Sequence, residues 1–238
     1  MSPRKLDPGA RTALLEIAAR LLAVEGPRAL SARRIAAEAG SSTMPLYSHF
    51  GGMSGLVRAI VKEGFVRMDQ YLGSVVPSDD PVSDMSTLGR AYRRNALANR
   101  HLYSAMFGGD SLTGFELSEA DRQRGRYTLT HVIACAERCI DFGRFLRIDA
   151  ELIAHQMWIG VHGLVTLELG GYLVSPIDAD RAFESQLLAL MVGAGDQPVA
   201  AALSVAASRR RPLLAVTDTR TNPSSRPVGG PLAGLRRP

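Results

Sequence analysis

The sequence predicts an all-α protein of about nine helices, in which an N-terminal three-helix domain precedes a C-terminal helical bundle. Apolar residues recur three and four positions apart along most of the chain, which is the period of an amphipathic α-helix, and no segment shows a strong strand alternation. Glycine, proline and helix-capping residues interrupt this pattern at intervals typical of helix length. With 238 residues, 46% of them hydrophobic, the chain can bury a core in one or two domains.

The first helix is expected to begin at Asp7-Pro8, because aspartate is a good N-cap and proline suits the first helical position. Gly26-Pro27 ends it, since neither residue continues a helix well. A short second helix is expected over 32–39, with Ser31 as its cap.

Gly40 is expected to close the second helix, because glycine accepts the left-handed conformation that follows many helices. Ser41 or Ser42 can then cap a third short helix that ends near His49. A long fourth helix over about 53–75 runs past this compact unit, so it is expected to link the two domains.

The C-terminal bundle is expected to contain the remaining helices. They run from Asp80-Pro81 past Tyr92, from Asn99 to Phe107, from Ser118 to about Phe142, from a cap at Asp149 through Tyr172, and from about Asp178 to Val192, with a resumption after Pro198 left open. These elements predict an N-terminal domain at 8–68, a C-terminal helical domain at 78–208, and a disordered basic tail at 209–238.

The net charge of +5 is unevenly distributed. Residues 1–50 contain seven Lys or Arg against four Asp or Glu, and residues 209–238 contain seven against one, whereas the segment between them is slightly acidic. Basic residues attract the phosphates of nucleic acid, so the N-terminal unit is the better candidate for docking on DNA. The N-terminus lacks an apolar signal region and no apolar run reaches the length of a membrane span, which favours a cytoplasmic protein.

The second helix, the turn at Gly40 and the third helix predict a helix-turn-helix, whose second helix enters the DNA major groove. Residues 30–40 read Leu-Ser-Ala-Arg-Arg-Ile-Ala-Ala-Glu-Ala-Gly, residues 46–50 read Leu-Tyr-Ser-His-Phe, and Leu56 follows. This pattern resembles the TetR family of regulators over about residues 8–68. The resemblance implies a homodimer that binds a palindromic double-stranded DNA operator and represses transcription until a small-molecule effector releases it.

Nine residues of this segment are candidate DNA contacts. They are Ser31, Arg33, Ser41, Ser42, Thr43, Met44, Tyr47, Ser48 and His49. By the resemblance, Ser31 and Tyr47 look like phosphate contacts, and Arg33, Thr43 and Met44 look like base-reading positions, while the histidine looks like a helix-end group near the backbone. The hydroxyl groups of the three serines after the turn also suit phosphates and base edges.

Two features weigh against a simple transfer of these roles. Taken one at a time, Tyr47 and Phe50 could be core aromatics, and Arg33 with Arg34 could be a solvated face. The family pattern usually has a lysine where this chain has Met53, so one phosphate contact is expected to be missing, at a cost of about 1 kcal/mol. Backbone N–H groups at the start of the fourth helix could replace that contact.

The C-terminal half contains Trp-Ile-Gly-Val-His-Gly at 158–163, which resembles the Trp-x-x-x-His-Gly motif of one C-terminal domain type of TetR relatives. Trp158 and His162 lie four residues apart, on one helical face. An imidazole beside an indole in an apolar bundle can fix the polar group of an otherwise apolar effector. The alternative is a hydrogen-bonded core histidine. The candidate ligand-binding residues are Tyr92, Tyr103, Met106, Phe107, His155, Trp158 and His162.

The last two helices are expected to form the dimer interface, as the family resemblance implies. The residues assigned to it by spacing are Leu187, Leu188, Leu190 and Met191, with Leu164 and Leu167 as further candidates and Gly160, Gly163, Gly170 and Gly171 as positions that permit close helix approach. The alternative for all of them is the core of one chain.

The sequence contains no motif of a catalytic site, so we expect no enzyme, cofactor or metal. His131, Cys135 and Cys139 form a stripe on one helix, but a fourth ligand is not evident and buried small residues are the preferred interpretation. Two rival functions remain open. One is a helical enzyme or small-molecule carrier, and the other is a weakly specific architectural protein that binds DNA through its arginine-rich tail.

Overall fold

The computed structural model describes residues 8–107, 119 and 123–213. Over these residues the chain forms ten α-helices and two 3₁₀ helices, with no strand, which confirms the all-α prediction. The α-helices are α1 (Pro8–Glu25), α2 (Ala32–Glu38), α3 (Met44–Phe50), α4 (Met53–Gly73), α5 (Pro81–Ala98), α6 (Arg100–Phe107), α7 (Thr130–Asp141), α8 (Ala150–Leu169), α9 (Ala179–Gly193) and α10 (Pro198–Ser208). The 3₁₀ helices cover Pro27–Ala29 and Arg124–Leu129.

Four of the predicted N-caps are confirmed. Ser31 Oγ accepts a hydrogen bond from a first-turn N–H of α2. The carboxylates of Asp80, Asp149 and Asp178 accept first-turn N–H groups of α5, α8 and α9 in the same way. Each cap satisfies N–H groups that have no partner inside the helix, which is why these short-range signals were readable. The cap predicted at Asp7 lies outside the described residues.

The predicted cap of α3 is wrong. The helix begins at Met44, and Thr43 occupies the N-cap position without a side-chain hydrogen bond. Ser41 instead donates its hydroxyl to the carbonyl of Ser42. A cap at Ser42 cannot use the N–H of the third residue after it, because that residue is Pro45, which has none. Pro45 itself is tolerated, as expected, because it lies in the first turn.

Two other helix bounds also differ from the prediction. The helix expected from Ser118 lies partly outside the described residues, and the described part is 3₁₀ over Arg124–Leu129 before α7 begins. The helix expected through Tyr172 ends at Leu169, where the following glycines turn the chain. The resumption after Pro198 is present as α10, which brings the described α-helices to ten.

The helices share one continuous cluster of buried side chains, which extends from Leu14 in α1 to Val205 in α10. Helices α1 and α3 pack on α4, α2 packs on α1, and α6 lies against both α1 and α4. Helices α5, α7, α8 and α9 surround the second half of the core, with α10 packed on α5. Helix α6 therefore lies between the N-terminal unit and the bundle.

The start of the predicted tail is wrong, because residues 209–213 are attached to the bundle. Arg209 pairs with Glu184 on α9, and Arg211 contacts the buried carboxylate of Asp84 and the carbonyl of Val76. These partners are acidic or carbonyl groups of the fold, so Arg209 and Arg211 are ion-paired instead of free. Residues 214–238 lie outside the described residues.

Candidate functional site

The face of α3 that would meet DNA is accessible. Of the nine candidate contacts, Thr43 and His49 are half-buried and the other seven are exposed. Tyr47 is 54% exposed and Met44 is 68% exposed, so Tyr47 is not a core aromatic. The opposite side of α3 buries Leu46 completely, and Phe50 packs against the core. Helix α3 is therefore anchored by its apolar side and presents its polar side outward.

The turn between α2 and α3 has the geometry predicted from Gly40. This residue has a φ of 62°, and its N–H donates to the carbonyl of Ala37 while the N–H of Ser41 donates to the carbonyl of Ala36. This pair of hydrogen bonds is a Schellman motif, which ends a helix and reverses the chain within a few residues. The motif holds α3 at a fixed angle to α2.

Arg33 and Arg34, adjacent in sequence, differ in their surroundings. The guanidinium of Arg34 donates to both carboxylate oxygens of Glu25, at 2.8 and 2.7 Å, and also to Glu38. The hydrogen bond to Glu25 raises the pKa of Arg34, although burial opposes the rise. Arg33 is exposed and has no ion pair within the described ranges. Only Arg33 of the two is therefore free to reach DNA.

The start of α4 lies beside α3. Its N-cap is Gly52, which makes no side-chain hydrogen bond, and Met53 packs partly against the core. A Cβ added at Gly55 would lie 1.8 Å from the carbonyl oxygen of Phe50. Glycine at 55 thus lets the first turn of α4 approach the end of α3 closely. The first backbone N–H groups of α4 are left without side-chain acceptors, which is the arrangement that binds phosphate in many proteins.

Four of the predicted ligand-binding residues form a hydrogen-bonded chain in the bundle. The indole N–H of Trp158 donates to the hydroxyl of Tyr92 at 3.3 Å. The hydroxyls of Tyr92 and Tyr103 lie 3.1 Å apart, and that of Tyr103 lies 2.8 Å from Nδ1 of His162. If each hydroxyl passes on one hydrogen bond, His162 Nδ1 is the final acceptor, which requires a neutral imidazole protonated on Nε2.

Burial affects the protonation of these groups. It lowers the pKa of His162, which favours the neutral imidazole that the hydrogen-bonded chain requires. Burial also raises the pKa of Tyr92 to about 12, although its hydrogen bonds with Tyr103 and Trp158 oppose the rise. Burial raises the pKa of Tyr103 as well. The chain of donors is therefore uncharged near neutral pH.

A cavity of about 520 Å³ opens beside this chain of hydrogen bonds. It is lined by Val61, Phe65, Met68, Tyr92, Met106, Phe107, Gln123, Gly125, Arg126, Thr128, Leu129, His155 and Trp158. This volume is within the range of small-molecule sites. Five of the seven predicted ligand-binding residues line it. Tyr103 and His162 do not line the cavity and lie behind two residues that do, Tyr92 and Phe107. The hydroxyl of Tyr92 is hydrogen-bonded to His162, and the ring centroids of Phe107 and His162 lie 4.5 Å apart.

Sequence reasoning missed the lining residues from α4 and from the 3₁₀ helix. Phe65 and Met68 had only a helical spacing, which predicts a buried side chain without saying whether it faces core or cavity. Arg126 had no pattern to mark it, and its guanidinium donates to Glu151 at 2.7 Å on the rim. The one available signal for Arg126 was its positive charge close to an apolar helix.

The residues proposed for the dimer interface need a correction. Leu187, Met191 and Leu164 are buried in the core of their own chain, and Leu188 and Leu190 pack partly against it. A Cβ at Gly160 would meet Gln186 and Leu190 at 2.9 to 3.2 Å, so this glycine serves the packing of α8 on α9 within one chain. A Cβ at Gly163 would meet nothing within 4 Å.

A different face of α8 and α9 is left exposed. On α8 it contains Leu152, Ile159, Gly163 and Leu167, which are spaced by seven and then four residues. On α9 the exposed side consists of small or polar residues such as Ser185 and Ala189. The predicted use of Leu167 is compatible with this face, because it is exposed, whereas the buried leucines point the other way. We call this surface the α8–α9 face.

The stripe of His131, Cys135 and Cys139 has structural partners. His131 Nε2 lies 2.9 Å from Asp69 Oδ1, and the thiol of Cys135 donates to the carbonyl of Pro81 at 3.3 Å. Both thiols are buried. Across 8–107, 119 and 123–213, no group of three or more potential metal ligands comes together.

In the same ranges, no helix has both the length and the apolar character needed to span a membrane.

Comparison with known proteins agrees with this geometry. Residues 14–60 match the family model described as bacterial regulatory proteins, tetR family, and residues 85–190 match the model described as tetracyclin repressor-like, C-terminal domain. A helix-turn-helix joined to such a bundle defines a DNA-binding transcriptional regulator. The two matches together span more than half of the chain, and the chain belongs to the TetR family.

Relatives support the same assignment. The chain is 28% identical over 198 residues to an uncharacterized HTH-type transcriptional regulator of Mycobacterium tuberculosis, covering 80% of this chain and 83% of that one. A protein of unknown function from Rhodococcus sp. RHA1 superposes with a TM-score of 0.67 at 25% identity, over 82% of this chain and all of that one. A TetR family regulator from Thermus thermophilus has the same fold, with a TM-score of 0.61 at 18% identity, over 77% and 99% of the two chains.

Proposed function

We propose that the protein is a homodimeric repressor that leaves its operator when a small molecule occupies the cavity of the bundle. Arg33 is exposed on α2, and Thr43 lies half-buried at the N-cap of α3. The observation that carries the proposal is the anchored α3, whose outward side presents Tyr47 to solvent. A helix of this kind fits the major groove, and two of them related by a two-fold axis read the halves of a palindrome. We propose that it acts in the cytoplasm, where bacterial DNA lies. We also propose that its C-terminal bundle is of the Trp-x-x-x-His-Gly type.

The position of α6 supports a route from the cavity to the DNA-binding unit. Met106 and Phe107 line the cavity, and α6 also packs on α1 and α4. A Cβ at Gly64 of α4 would lie 2.3 Å from Met106 Sδ, so α4 and α6 touch directly at the cavity wall. A ligand that displaces Met106 or Phe107 would favour a different position of α6, and with it a different spacing of the two α3 helices.

A gel shift with the DNA upstream of the protein's own operon tests DNA recognition. We expect saturable binding that an Arg33→Ala, Thr43→Ala double variant weakens by at least tenfold, because base contacts each contribute about 1–3 kcal/mol. Arg147→Ala is the matched control, since it removes one exposed positive charge from the loop before α8. Equal binding by the double variant and the control would contradict the proposal.

The architectural rival is tested by truncation, and the structure selects the cut. Removing residues 209–238 would also remove Arg211 from the buried Asp84, so lost binding could then reflect lost stability. Removing only 214–238 leaves that contact in place. We expect this shorter truncation to reduce operator affinity modestly, whereas the architectural function requires its loss. The enzyme or carrier rival requires an activity or ligand binding that survives deletion of residues 1–50.

A further inference from the structure

The cavity has an uneven distribution of charge. Arg126 lies on its rim with the side chain 65% exposed, and none of the described lining residues is acidic. The partner of Arg126 is Glu151, which is not a lining residue and is itself partly exposed. An exposed ion pair of this kind contributes little to stability, so a ligand anion can displace Glu151 at small cost.

His155 adds a second polar group to the same cavity. Its Nδ1 lies 2.7 Å from the carbonyl oxygen of Glu151, and a carbonyl can only accept, so Nδ1 carries a proton. The Nε2 atom is therefore the ring nitrogen left to meet a ligand. His155 and Arg126 are thus both attached to Glu151, one through its backbone and the other through its side chain.

Most of the remaining lining is apolar, with Gln123 and Thr128 as uncharged polar exceptions, and it extends inward. A narrow crevice of about 40 Å³ shares Tyr92, Thr128, Leu129 and Trp158 with the cavity. Its other walls are largely aliphatic and come from α4, α5, α7, α8 and α9. Five of the eight methionines in the sequence line the cavity or the crevice, namely Met68, Met85, Met106, Met157 and Met191. Methionine side chains repack readily, so the crevice can admit a slender apolar chain.

We propose that the effector is an organic acid with a flexible apolar chain, whose carboxylate pairs with Arg126 and whose chain passes Trp158 into the crevice. This inference rests on the proposed ligand cavity and adds the chemical class of the ligand. The aromatic rings of the lining could also hold a cation, which makes an amine of the same chain length the strongest competitor.

Trp158 is the one tryptophan of the sequence and lines both spaces, so its fluorescence reports on the site without a label. The experiment titrates the purified full chain with decanoate, decanol and decylamine, each below the concentration at which it forms micelles. We expect saturable changes with decanoate at the highest affinity. Each methylene between hexanoate and decanoate should tighten binding by about threefold to fourfold, as burial of a methylene predicts.

Variants of the rim residues then test whether Arg126 pairs with the carboxylate of the ligand. Arg126→Gln should weaken decanoate binding by about tenfold at low salt and leave decanol binding unchanged, because only the charged head loses its partner. Glu151→Gln should tighten decanoate binding by freeing Arg126. Arg147→Gln is the matched control and should change neither, and far-ultraviolet circular dichroism verifies that each variant is folded.

Three results would overturn the inference. They are decylamine binding as tightly as decanoate, an Arg126→Gln variant with undiminished affinity for decanoate, and no saturable response of Trp158 to any of the acids. If operator binding and its release by some other molecule survived these results, the proposed function would stand without this ligand class. If decanoate bound as predicted but the protein bound no operator, the proposed function would fail instead.

Discussion

Individual side chains on the DNA-facing surface should separate base reading from phosphate contact. We predict that Arg33→Ala weakens operator binding by about 1–3 kcal/mol and narrows the difference between operator and random DNA, as expected for a base contact. Tyr47→Phe should weaken binding to both DNAs by a similar factor, because a phosphate contact carries no sequence information. Fluorescence anisotropy with both DNAs measures this. The reverse pattern would exchange the two roles.

His162 should give the folded protein a dependence on pH. Burial lowers its pKa, so the unfolded chain binds a proton more readily than the folded chain. The contribution of His162 to stability is therefore complete above about pH 6.5, the ordinary value for histidine, and declines as the pH falls below it. We predict that His162→Gln flattens the dependence of the free energy of unfolding on pH between 7 and 5. Parallel curves for both proteins in urea denaturation would refute this.

For single residues, the sequence predicted the role correctly where that role depends on neighbours along the chain. Ser31 and Gly40 act on N–H and carbonyl groups within five positions along the chain, so their spacing was sufficient. Arg126 and Phe65 line the same cavity from distant segments, and a Cβ at Gly125, the neighbour of Arg126, would lie 2.1 Å from the Phe65 ring. No local pattern encodes such a meeting, which is why the cavity rim was missed.

The junction between α3 and α4 depends on the absence of a side chain at Gly55. Alanine normally stabilises a helix relative to glycine by about 1 kcal/mol. Here the added carbon would collide with the backbone carbonyl of Phe50, and backbone cannot move aside as a flexible side chain can. We predict that Gly55→Ala lowers the free energy of unfolding by about 1–3 kcal/mol and weakens operator binding.

Gly193→Ala is the control for this substitution, since a Cβ there meets nothing within 4 Å and the residue also belongs to a helix. Thermal unfolding of both variants measures the difference. Equal melting temperatures for Gly55→Ala and the parent protein would show that the close approach of α3 and α4 is not required.

Helices with strong caps and regular spacing were predicted well, and the failures have physical reasons. One helix was expected from Ser118 to about Phe142, yet Arg124–Leu129 form a 3₁₀ helix before α7 begins, and spacing over a few residues cannot separate the two helix types. Arg209 and Arg211 had the composition of a free tail. Their attachment depends on Glu184 and on the buried Asp84, partners over 20 residues away that composition does not encode.

The assembled regulator should depend on the α8–α9 face. Ile159 is 63% exposed on this face, although it is a large apolar residue at the centre of an apolar helix. We predict that Ile159→Asp converts a dimer into a monomer, because an interface between two copies would bury one charge from each without a partner. Light scattering should then change from twice the 25.6 kDa of one chain to that mass.

Val24→Asp is the control for the dimer prediction. It places the same charge on an exposed apolar position at the end of α1, away from α8 and α9, and should leave the mass unchanged. A dimer that persists in the Ile159→Asp variant would show that the interface lies elsewhere on the molecule. Operator affinity should fall when dimerisation is lost, since each copy supplies one α3 for one half of the palindrome.

The central claim is that α3 enters the major groove of the operator. Both native thiols are buried, so a single cysteine at the exposed Ser48 can carry a copper-phenanthroline nuclease without labelling the rest of the chain. We predict two clusters of cleavage, one inside each half of a protected palindrome, and no such cleavage from a matched cysteine at the exposed Val199 of α10. Cleavage only outside the protected site, with binding intact, would contradict the account.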